Sequence, residues 1–235
     1  MRKGRRLYRY FTEEKWAEAF LDGSLRFRSL AYYRDYEDAE VRGDQNEGTA
    51  IMRPVAGLEV TNQTQRTSFI MPDSAFESVA NAGEIFVYCL SKSESQEKRE
   101  KFRAAACVEV FDTKAFCRRV QIALPRRATF PGRPGHQMIG QHVDYYKVTE
   151  GVSPRWALPD LIAASKLDSY RWQDEFRLVF SLTDALAFEK VNVRVVQGLS
   201  RRIANPADHH FYDLQLATSL RDIAVLHKLP VLVTV

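Results

Sequence analysis

Residues 176–180 constrain the fold of this chain more than any other stretch. Phe176, Leu178 and Phe180 alternate with Arg177 and Val179, which is the two-residue period of a β-strand with one buried face. The pattern predicts a half-buried strand. The backbone of such a strand holds any side chain at its start in a fixed position.

Charged and amide side chains precede that strand. Gln173, Asp174 and Glu175 come directly before it, and Lys166 and Arg171 lie further upstream. A carboxylate at the start of a strand, with an amide and cations beside it, is one way to build a functional site, because the neighbours set its charge. The alternative is a solvated strand end with ordinary ion pairs.

Length and composition describe an ordinary globular chain. Its 235 residues are 45% hydrophobic and 27% charged, which is enough to bury a core, and no linker divides residues 1–235, so we expect a single domain. No apolar run reaches membrane-spanning length, so no membrane partner is expected. The net charge of +4 permits an acidic partner without requiring one.

The cysteines indicate a reducing compartment. Cys89, Cys107 and Cys117 are odd in number and lie in apolar contexts, as reduced core residues do, and no apolar signal core follows the basic N-terminus. We therefore expect a cytoplasmic protein. No cysteine and histidine spacing resembles a zinc site, and no metal is expected.

Strands and helices alternate without a regular βαβ rhythm, which predicts an α+β fold. The predicted strands cover residues 7–11, 25–27, 85–90, 104–111, 142–148, 176–180, 191–196 and 230–235. Predicted helices cover residues 13–22, the segment after Asp112, residues 182–189 and residues 213–228. Residues 49–61 are predicted as a hairpin with its turn at 54–57, and residues 73–82 as a short helix or loop. No glycine-rich loop of a Rossmann or P-loop nucleotide site is present.

Three tyrosines fall within five residues at Tyr32, Tyr33 and Tyr36. Such a cluster can form a stacking platform for a flat ring, such as a nucleobase or nicotinamide. It is equally compatible with a helical turn that packs its aromatic residues against the core.

Residues 126–140 are rich in proline, glycine and arginine and are predicted to form a loop. Arg126, Arg127, Arg133 and His136 could hold a nucleic-acid phosphate backbone or a pyrophosphate. A solvated basic loop is the simpler interpretation.

An acidic turn offers a third possibility. Asp35, Glu37, Asp44 and Glu47, together with Lys166, could hold Mg²⁺ in a nuclease or phosphodiesterase. Carboxylates in a turn are more simply explained by solvation, so we rank this interpretation last.

Three sequence segments resemble a widespread family of uncharacterised bacterial proteins. They are L-Y-R-Y-F followed by a helix and G-S-L-R-F-R-S-L-A-Y-Y-R-D-Y-E-D, then I-F-V-Y-C-L-S, then K-x-x-x-Y-x-W-Q-D-E-F-R-L-V-F. Members of that family carry Y-K-Y, G-x-L-x-F and a late E-x-E-x-R in the same order. The resemblance spans roughly residues 7–180.

That layout is in turn similar to the ADP-ribosyltransferase fold, a split β-sandwich with short flanking helices. The resemblance assigns Arg9 to the first-strand arginine, Ser91 to the serine of the middle strand, and Gln173 and Glu175 to the catalytic Q-x-E pair. Leu90-Ser91-Lys92 departs from the Ser-Thr-Ser triplet of those enzymes.

The resemblance implies that NAD is the substrate. Glu175 would stabilise the oxocarbenium-like state that forms when the nicotinamide–ribose bond breaks, and Gln173 would orient the acceptor. The remaining NAD-binding candidates are Arg9, Tyr10, Tyr32, Tyr33, Tyr36, Ser91 and Lys166.

The implied protein is a toxin or phage-defence effector that modifies a macromolecule, either nucleic acid or protein. An antitoxin or inhibitor protein is then an expected partner. The alternative is a non-catalytic module that binds nucleic acid or a small ligand on the same scaffold.

Overall fold

The computed structural model describes residues 6–35, 44–133, 135–198 and 205–228. They form an α+β fold of mostly antiparallel sheets with few helices. The strands are β1 (Leu7–Phe11), β2 (Ser24–Ser29), β3 (Thr49–Met52), β4 (Leu58–Asn62), β5 (Thr67–Met71), β6 (Ser74–Ala80), β7 (Ile85–Ser91), β8 (Ala106–Val110), β9 (Gly140–His142), β10 (Asp144–Tyr146), β11 (Ser165–Leu167), β12 (Glu175–Ser181), β13 (Val191–Gln197), β14 (Phe211–Gln215) and β15 (Ala224–Lys228). The α-helices are α1 (Glu14–Leu21), α2 (Leu30–Arg34), α3 (Gln96–Lys101), α4 (Thr113–Ala123) and α5 (Pro159–Ala163). Short 3₁₀ helices cover Pro154–Ala157, Asp168–Gln173 and Pro206–Asp208.

The largest sheet is continuous on one side of β7 and divided on the other side. Strand β12 pairs with β7 over its whole length, from Glu175 opposite Ser91 to Ser181 opposite Ile85. The other edge of β7 is shared, because β2 pairs with it near Val87 and β1 pairs with it at Ser91. Among the described residues, neither β1 nor β2 pairs with the β7 residues that lie between Val87 and Ser91. The sheet therefore has a gap between β1 and β2.

The outer strands extend the sheet on both sides of this gap. Strand β14 pairs with β2, while β8 pairs with β1 and β15 pairs with β8. Beyond β12 lies the short strand β9.

A second sheet, in the order β13-β6-β3, faces the first across a shared core. Val87 and Val179 of the large sheet are buried in one cluster with Ala50 and Ala75 of the second sheet and with Ile162 of α5. The fold is thus two sheets packed face to face. Strands β4 and β5 form a separate hairpin, and β10 and β11 form a parallel pair.

Helices α1 and α4 cover the other face of the large sheet. Phe20 of α1 and Phe116 of α4 are fully buried with Phe27, Tyr88 and Leu178. Helix α4 begins where the sequence predicts it, because the side chain of Asp112 accepts a hydrogen bond from the amide of Ala115 and caps the helix.

Four predictions of local structure were wrong. Residues 213–228 form strands β14 and β15 with a turn between them, residues 73–82 contain β6, and residues 182–189 form turns. Residues 49–61 do not form a hairpin, because β3 pairs with β6 and β4 pairs with β5. For residues 213–228, 73–82 and 49–61, distant strands supply backbone partners that local periodicity does not reveal. The strand predicted at residues 230–235 lies outside the described residues.

No helix in the described part of the chain is both long enough and apolar enough to span a membrane.

Candidate active site

A cavity of about 260 Å³ opens at the gap between β1 and β2. Eight of the nine residues that the sequence analysis names for catalysis or NAD binding contribute to its wall: Arg9, Tyr10, Tyr32, Tyr33, Ser91, Lys166, Gln173 and Glu175. They come from chain positions that are far apart, and the divided sheet brings them together. Tyr36, the remaining candidate for NAD binding, lies outside the described residues.

Glu175 is the first residue of β12, and the turn before it is fixed to the end of β7. The Ser91 hydroxyl donates a hydrogen bond of 2.8 Å to the backbone oxygen of Gln173, and the Lys92 amide donates one of 2.8 Å to the backbone oxygen of Asp174. Asp174 adopts the left-handed conformation with φ of 46°, which lets the chain turn sharply into the strand. The role of Ser91 here is to hold this turn.

Two cations hold the Glu175 carboxylate. Arg177 donates from Nε to Oε1 at 2.8 Å, and Oε2 receives two longer contacts of 3.3 Å, from Arg177 Nη2 and Lys166 Nζ. Burial would raise the pKa of Glu175, but Arg177 and Lys166 outweigh burial and, with a hydrogen bond from the Cys89 side chain, hold the pKa well below its usual value. Glu175 is therefore ionised, and the contacts of Oε2 with the two cations are longer than the contact of Oε1 with Arg177 Nε.

A second carboxylate, Glu47, completes the charge network. It accepts two hydrogen bonds from Arg177, of 2.8 and 2.7 Å, and lies 3.8 Å from Lys166 Nζ. Asp44 is also buried, and burial together with the nearby Glu47 raises its pKa to about 6.

Lys166 and Gln173 contact each other beside Glu175. Lys166 Nζ donates to the amide oxygen of Gln173 at 2.8 Å. Burial would lower the pKa of Lys166, but Glu175 and Glu47 more than offset it, so the pKa lies above its usual value and the amine stays charged. The lysine thereby fixes both side chains of the Q-x-E pair.

Arg9 lies in the gap itself. Its Nη1 donates to the backbone oxygen of Cys89, which lies between the β7 positions paired with β1 and β2. Its guanidinium carbon lies 4.6 Å from the centre of the Tyr88 ring. Its Nε is buried and has no hydrogen-bond partner among the described residues.

The tyrosines of the cavity wall differ in their contacts. Tyr32 and Tyr33 meet edge to face with ring centres 5.4 Å apart. The Tyr10 hydroxyl accepts a hydrogen bond from the Ser95 amide, and its ring packs on Phe102. Tyr10 is therefore anchored, whereas Tyr32 and Tyr33 form an aromatic wall.

The predicted basic loop lies apart from the cavity. Arg126, Arg127, Arg133 and His136 are exposed and do not line it. The chain nevertheless pairs with β12 on either side of this loop. Thr129 pairs with Ser181, residues 140–142 pair with residues 176–178, and the Val143 amide donates to the backbone oxygen of Glu175.

The carboxylates of the nuclease alternative are engaged elsewhere. Asp35 pairs with Arg34 and His209, and Asp44 and Glu47 belong to the buried network. Glu37 lies outside the described residues. Among the residues that the structure describes, no group of three metal-binding side chains could hold an ion.

Sequence reasoning missed several residues at this site. Arg26 and Arg28 line the cavity from β2, and their alternation with Leu25 and Phe27 would have placed them together on one face of the strand. Glu47 was considered only as a metal ligand. Its pairing with Arg177 joins positions 130 residues apart, which no local signal predicts.

No protein-family model, curated protein or solved structure matches this chain.

Proposed function

We propose that this protein is an NAD-dependent ADP-ribosyltransferase. In the proposed reaction the bond between the nicotinamide nitrogen and ribose C1′ breaks, and its electron pair leaves with nicotinamide. The acceptor then attacks C1′ and releases a proton. The products are nicotinamide and an ADP-ribosylated macromolecule.

The state of Glu175 carries this proposal. The side chain is ionised, only 4% exposed, and held at the start of a strand inside the cavity. An ionised carboxylate held in this way can accept a hydrogen bond from a ribose hydroxyl through Oε2 and stabilise positive charge at C1′. The carboxylate needs no reorganisation to accept this hydrogen bond, because Arg177 already fixes Oε1.

The surrounding residues suit the same substrate. A cavity of about 260 Å³ is slightly smaller than the roughly 300–1,000 Å³ of a typical ligand site, so it would enclose the reacting half of a dinucleotide. Tyr32 and Tyr33 offer aromatic surface for the nicotinamide ring, and Gln173 lies beside Glu175 to orient the acceptor. The two facing sheets and the gap between β1 and β2 agree with a split β-sandwich.

Charge favours a nucleic-acid acceptor. Residues 113–143 contain no Asp or Glu, and residues 140–143 at the end of this stretch pair with β12 next to Glu175. A polyanion bound to the basic residues of the stretch would lie on the side of the sheet edge that ends at Glu175. The Lys and Arg residues of this stretch are Lys114, Arg118, Arg119, Arg126, Arg127 and Arg133. Such an enzyme would act as a toxin or defence effector in the cytoplasm, restrained by an inhibitor protein.

The test is incubation of the purified protein with NAD labelled in the adenylate and a cell lysate. Wild type is compared with Glu175→Gln and with Glu77→Gln, a matched control at a buried glutamate that pairs with Arg194 in the second sheet. We expect label in nuclease-sensitive material with wild type and the control, and a loss of about a hundredfold or more in Glu175→Gln. A folded Glu175→Gln protein with undiminished activity would contradict the catalytic role proposed for Glu175.

One observation favours the alternative of a non-catalytic binding module. Both oxygens of Glu175 already contact cations, as they would in a structural ion pair. Nucleic-acid binding with a steep salt dependence, together with no release of nicotinamide, would establish that alternative.

A further inference from the structure

Cys89 lines the cavity beside the proposed catalytic carboxylate. It lies on β7 directly opposite Arg177 of β12 and diagonally across from Glu175, which pairs with Ser91. Its side chain is partly exposed and contributes to the cavity wall, whereas Val87, two residues earlier on the same face of the strand, is fully buried in the core between the sheets. The thiol therefore faces the ligand space next to Glu175.

Two hydrogen bonds connect Cys89 to both sides of the site. Its thiol donates to the Glu175 carboxylate, and its backbone oxygen accepts from Arg9 Nη1. Within the described part of the chain, neither β1 nor β2 pairs with residue 89, so the contact with Arg9 fixes the Cys89 backbone at the gap. The thiol is thereby held against Glu175 from the strand that neighbours β12.

The thiol differs from the two cations in how it acts on Glu175. Arg177 and Lys166 keep the carboxylate ionised, but their positive charges also offset its negative field. A neutral S–H donor orients the carboxylate without opposing its charge. Such a donor suits a carboxylate that has to stabilise positive charge on a ligand.

The surroundings of Cys89 keep the proton on its sulfur. Burial and the Glu175 carboxylate raise the pKa of the thiol above its usual value and outweigh Arg177 and Lys166. Cys89 is therefore a protonated donor near neutral pH and not a reactive thiolate. The charged and titratable groups that act on it are Glu175 and Arg177 of β12, Lys166 of β11, Arg9 of β1, Tyr33 of α2 and Tyr88 of its own strand.

We infer that Cys89 is a positioning residue whose thiol holds the Glu175 carboxylate in place for its ligand. This inference rests on the proposed function only in taking Glu175 as the carboxylate that acts on the ligand. Three substitutions separate hydrogen bonding from packing. Cys89→Ser retains a donor, Cys89→Val retains most of the volume without a donor, and Cys89→Ala retains neither.

The first measurement needs no NAD. Wild type, Glu175→Gln and the control Glu77→Gln are alkylated with iodoacetamide at pH 8, and the rate at each cysteine is read by mass spectrometry of its peptide. Removing the Glu175 charge should lower the pKa of Cys89. We expect its alkylation to accelerate by about threefold or more, because each unit gives about ten times more thiolate, partly offset by weaker nucleophilicity.

Cys117 provides an internal control in the same protein. It lies on α4 and packs against the opposite face of the large sheet, so its alkylation rate should be the same in all three proteins. A general loosening of the fold in Glu175→Gln would accelerate Cys117 as well, which distinguishes it from a change confined to Cys89.

The second measurement is the steady-state kinetics of NAD cleavage by the three Cys89 variants. Cys89→Ser should keep kcat within about threefold of wild type. Cys89→Ala and Cys89→Val should lower kcat by about tenfold with a similar KM, the loss of one hydrogen bond to a charged group that acts in the transition state. A packing role alone would instead make Cys89→Val the best of the three.

The two measurements separate this inference from the proposed function. An unchanged Cys89 alkylation rate in folded Glu175→Gln, or equal kcat values for Cys89→Ser and Cys89→Val, would overturn the inference. Accelerated alkylation in Glu175→Gln without NAD consumption by wild type supports the contact and removes the transferase. NAD consumption that requires Glu175 but is unaffected by Cys89→Ala does the reverse. The Cys89 variants keep Glu175 and its ion pairs, so they decide the question even if Glu175→Gln does not fold.

Discussion

Arg177 and Glu47 form a doubly hydrogen-bonded ion pair in the interior of the protein. Arg177 Nη1 lies 2.8 Å from Glu47 Oε1 and Nη2 lies 2.7 Å from Oε2, with the two side chains 0% and 1% exposed. The same guanidinium holds Glu175 through Nε. Glu47 therefore fixes the orientation of Glu175 through Arg177.

Removing the charge of Glu47 should destabilise the protein strongly. Glu47→Gln leaves Arg177 with one carboxylate in a buried site, and breaking a buried ion pair typically costs about 3–5 kcal/mol. The matched change Glu77→Gln should cost less, because its partner Arg194 is 46% exposed. Urea unfolding of the two variants measures the difference, and equal losses would contradict the role given to Glu47.

Asp44 should make stability depend on pH. Its pKa of about 6 in the folded protein lies above its usual value of 3.8, so the folded state binds the proton more tightly than the unfolded state. The resulting penalty is complete above pH 6, decreases as the pH falls, and vanishes below about pH 4.

Asp44→Asn should remove that penalty. The amide keeps an oxygen that can accept from the Asn46 amide, as Asp44 Oδ1 does. We expect the variant to be more stable than wild type by about 2–3 kcal/mol at pH 7.5, the equivalent of the pKa shift, and to lose this advantage by pH 4. Thermal unfolding across this range tests it, and an advantage that grows towards low pH would refute the assignment.

Gln173 should affect transfer more than NAD cleavage. Its side chain contacts Lys166 beside Glu175, whereas its backbone is held by Ser91, so Gln173→Ala leaves the turn intact. We expect labelling of the acceptor to fall by about tenfold or more, with nicotinamide release largely retained. Gln137→Ala, at an exposed amide, is the control. Parallel loss of both activities would instead make Gln173 part of NAD binding.

The basic loop should bind nucleic acid without influencing NAD. Replacing Arg126, Arg127 and Arg133 together with Gln removes three exposed cations. The slope of log affinity against log salt should then fall by about 2–3 for duplex DNA, while NAD cleavage stays unchanged. A control with the same loss of charge replaces Lys15, Arg66 and Lys147, which are exposed elsewhere. An equal effect of the control would show that net charge alone is responsible.

Local sequence signals were sufficient to predict those helices and strands whose partners lie nearby in the chain or whose residue pattern is strong. The alternation around Leu178 and the apolar run of β7 predicted the two central strands, and the cap at Asp112 predicted α4. The predicted half-burial of β12 was wrong, because every one of its residues is buried, Arg177 included. The segment 213–228 was misassigned as helix. Its residues Leu216, Leu220 and Ile223 are buried, but they lie in the connection between β14 and β15, the strands that pair with β2 and β8.

For the candidate site, the sequence by itself determined which residue types stand at the start of β12, and that a strand would hold Glu175 rigidly. Only the tertiary structure decided that Arg9, Lys166, Glu47 and Glu175 share one cavity and that Arg177 is buried between two carboxylates. The physical reason is that local conformation depends on neighbouring residues, whereas burial and charge pairing depend on segments joined by β-sheet pairing across the whole chain.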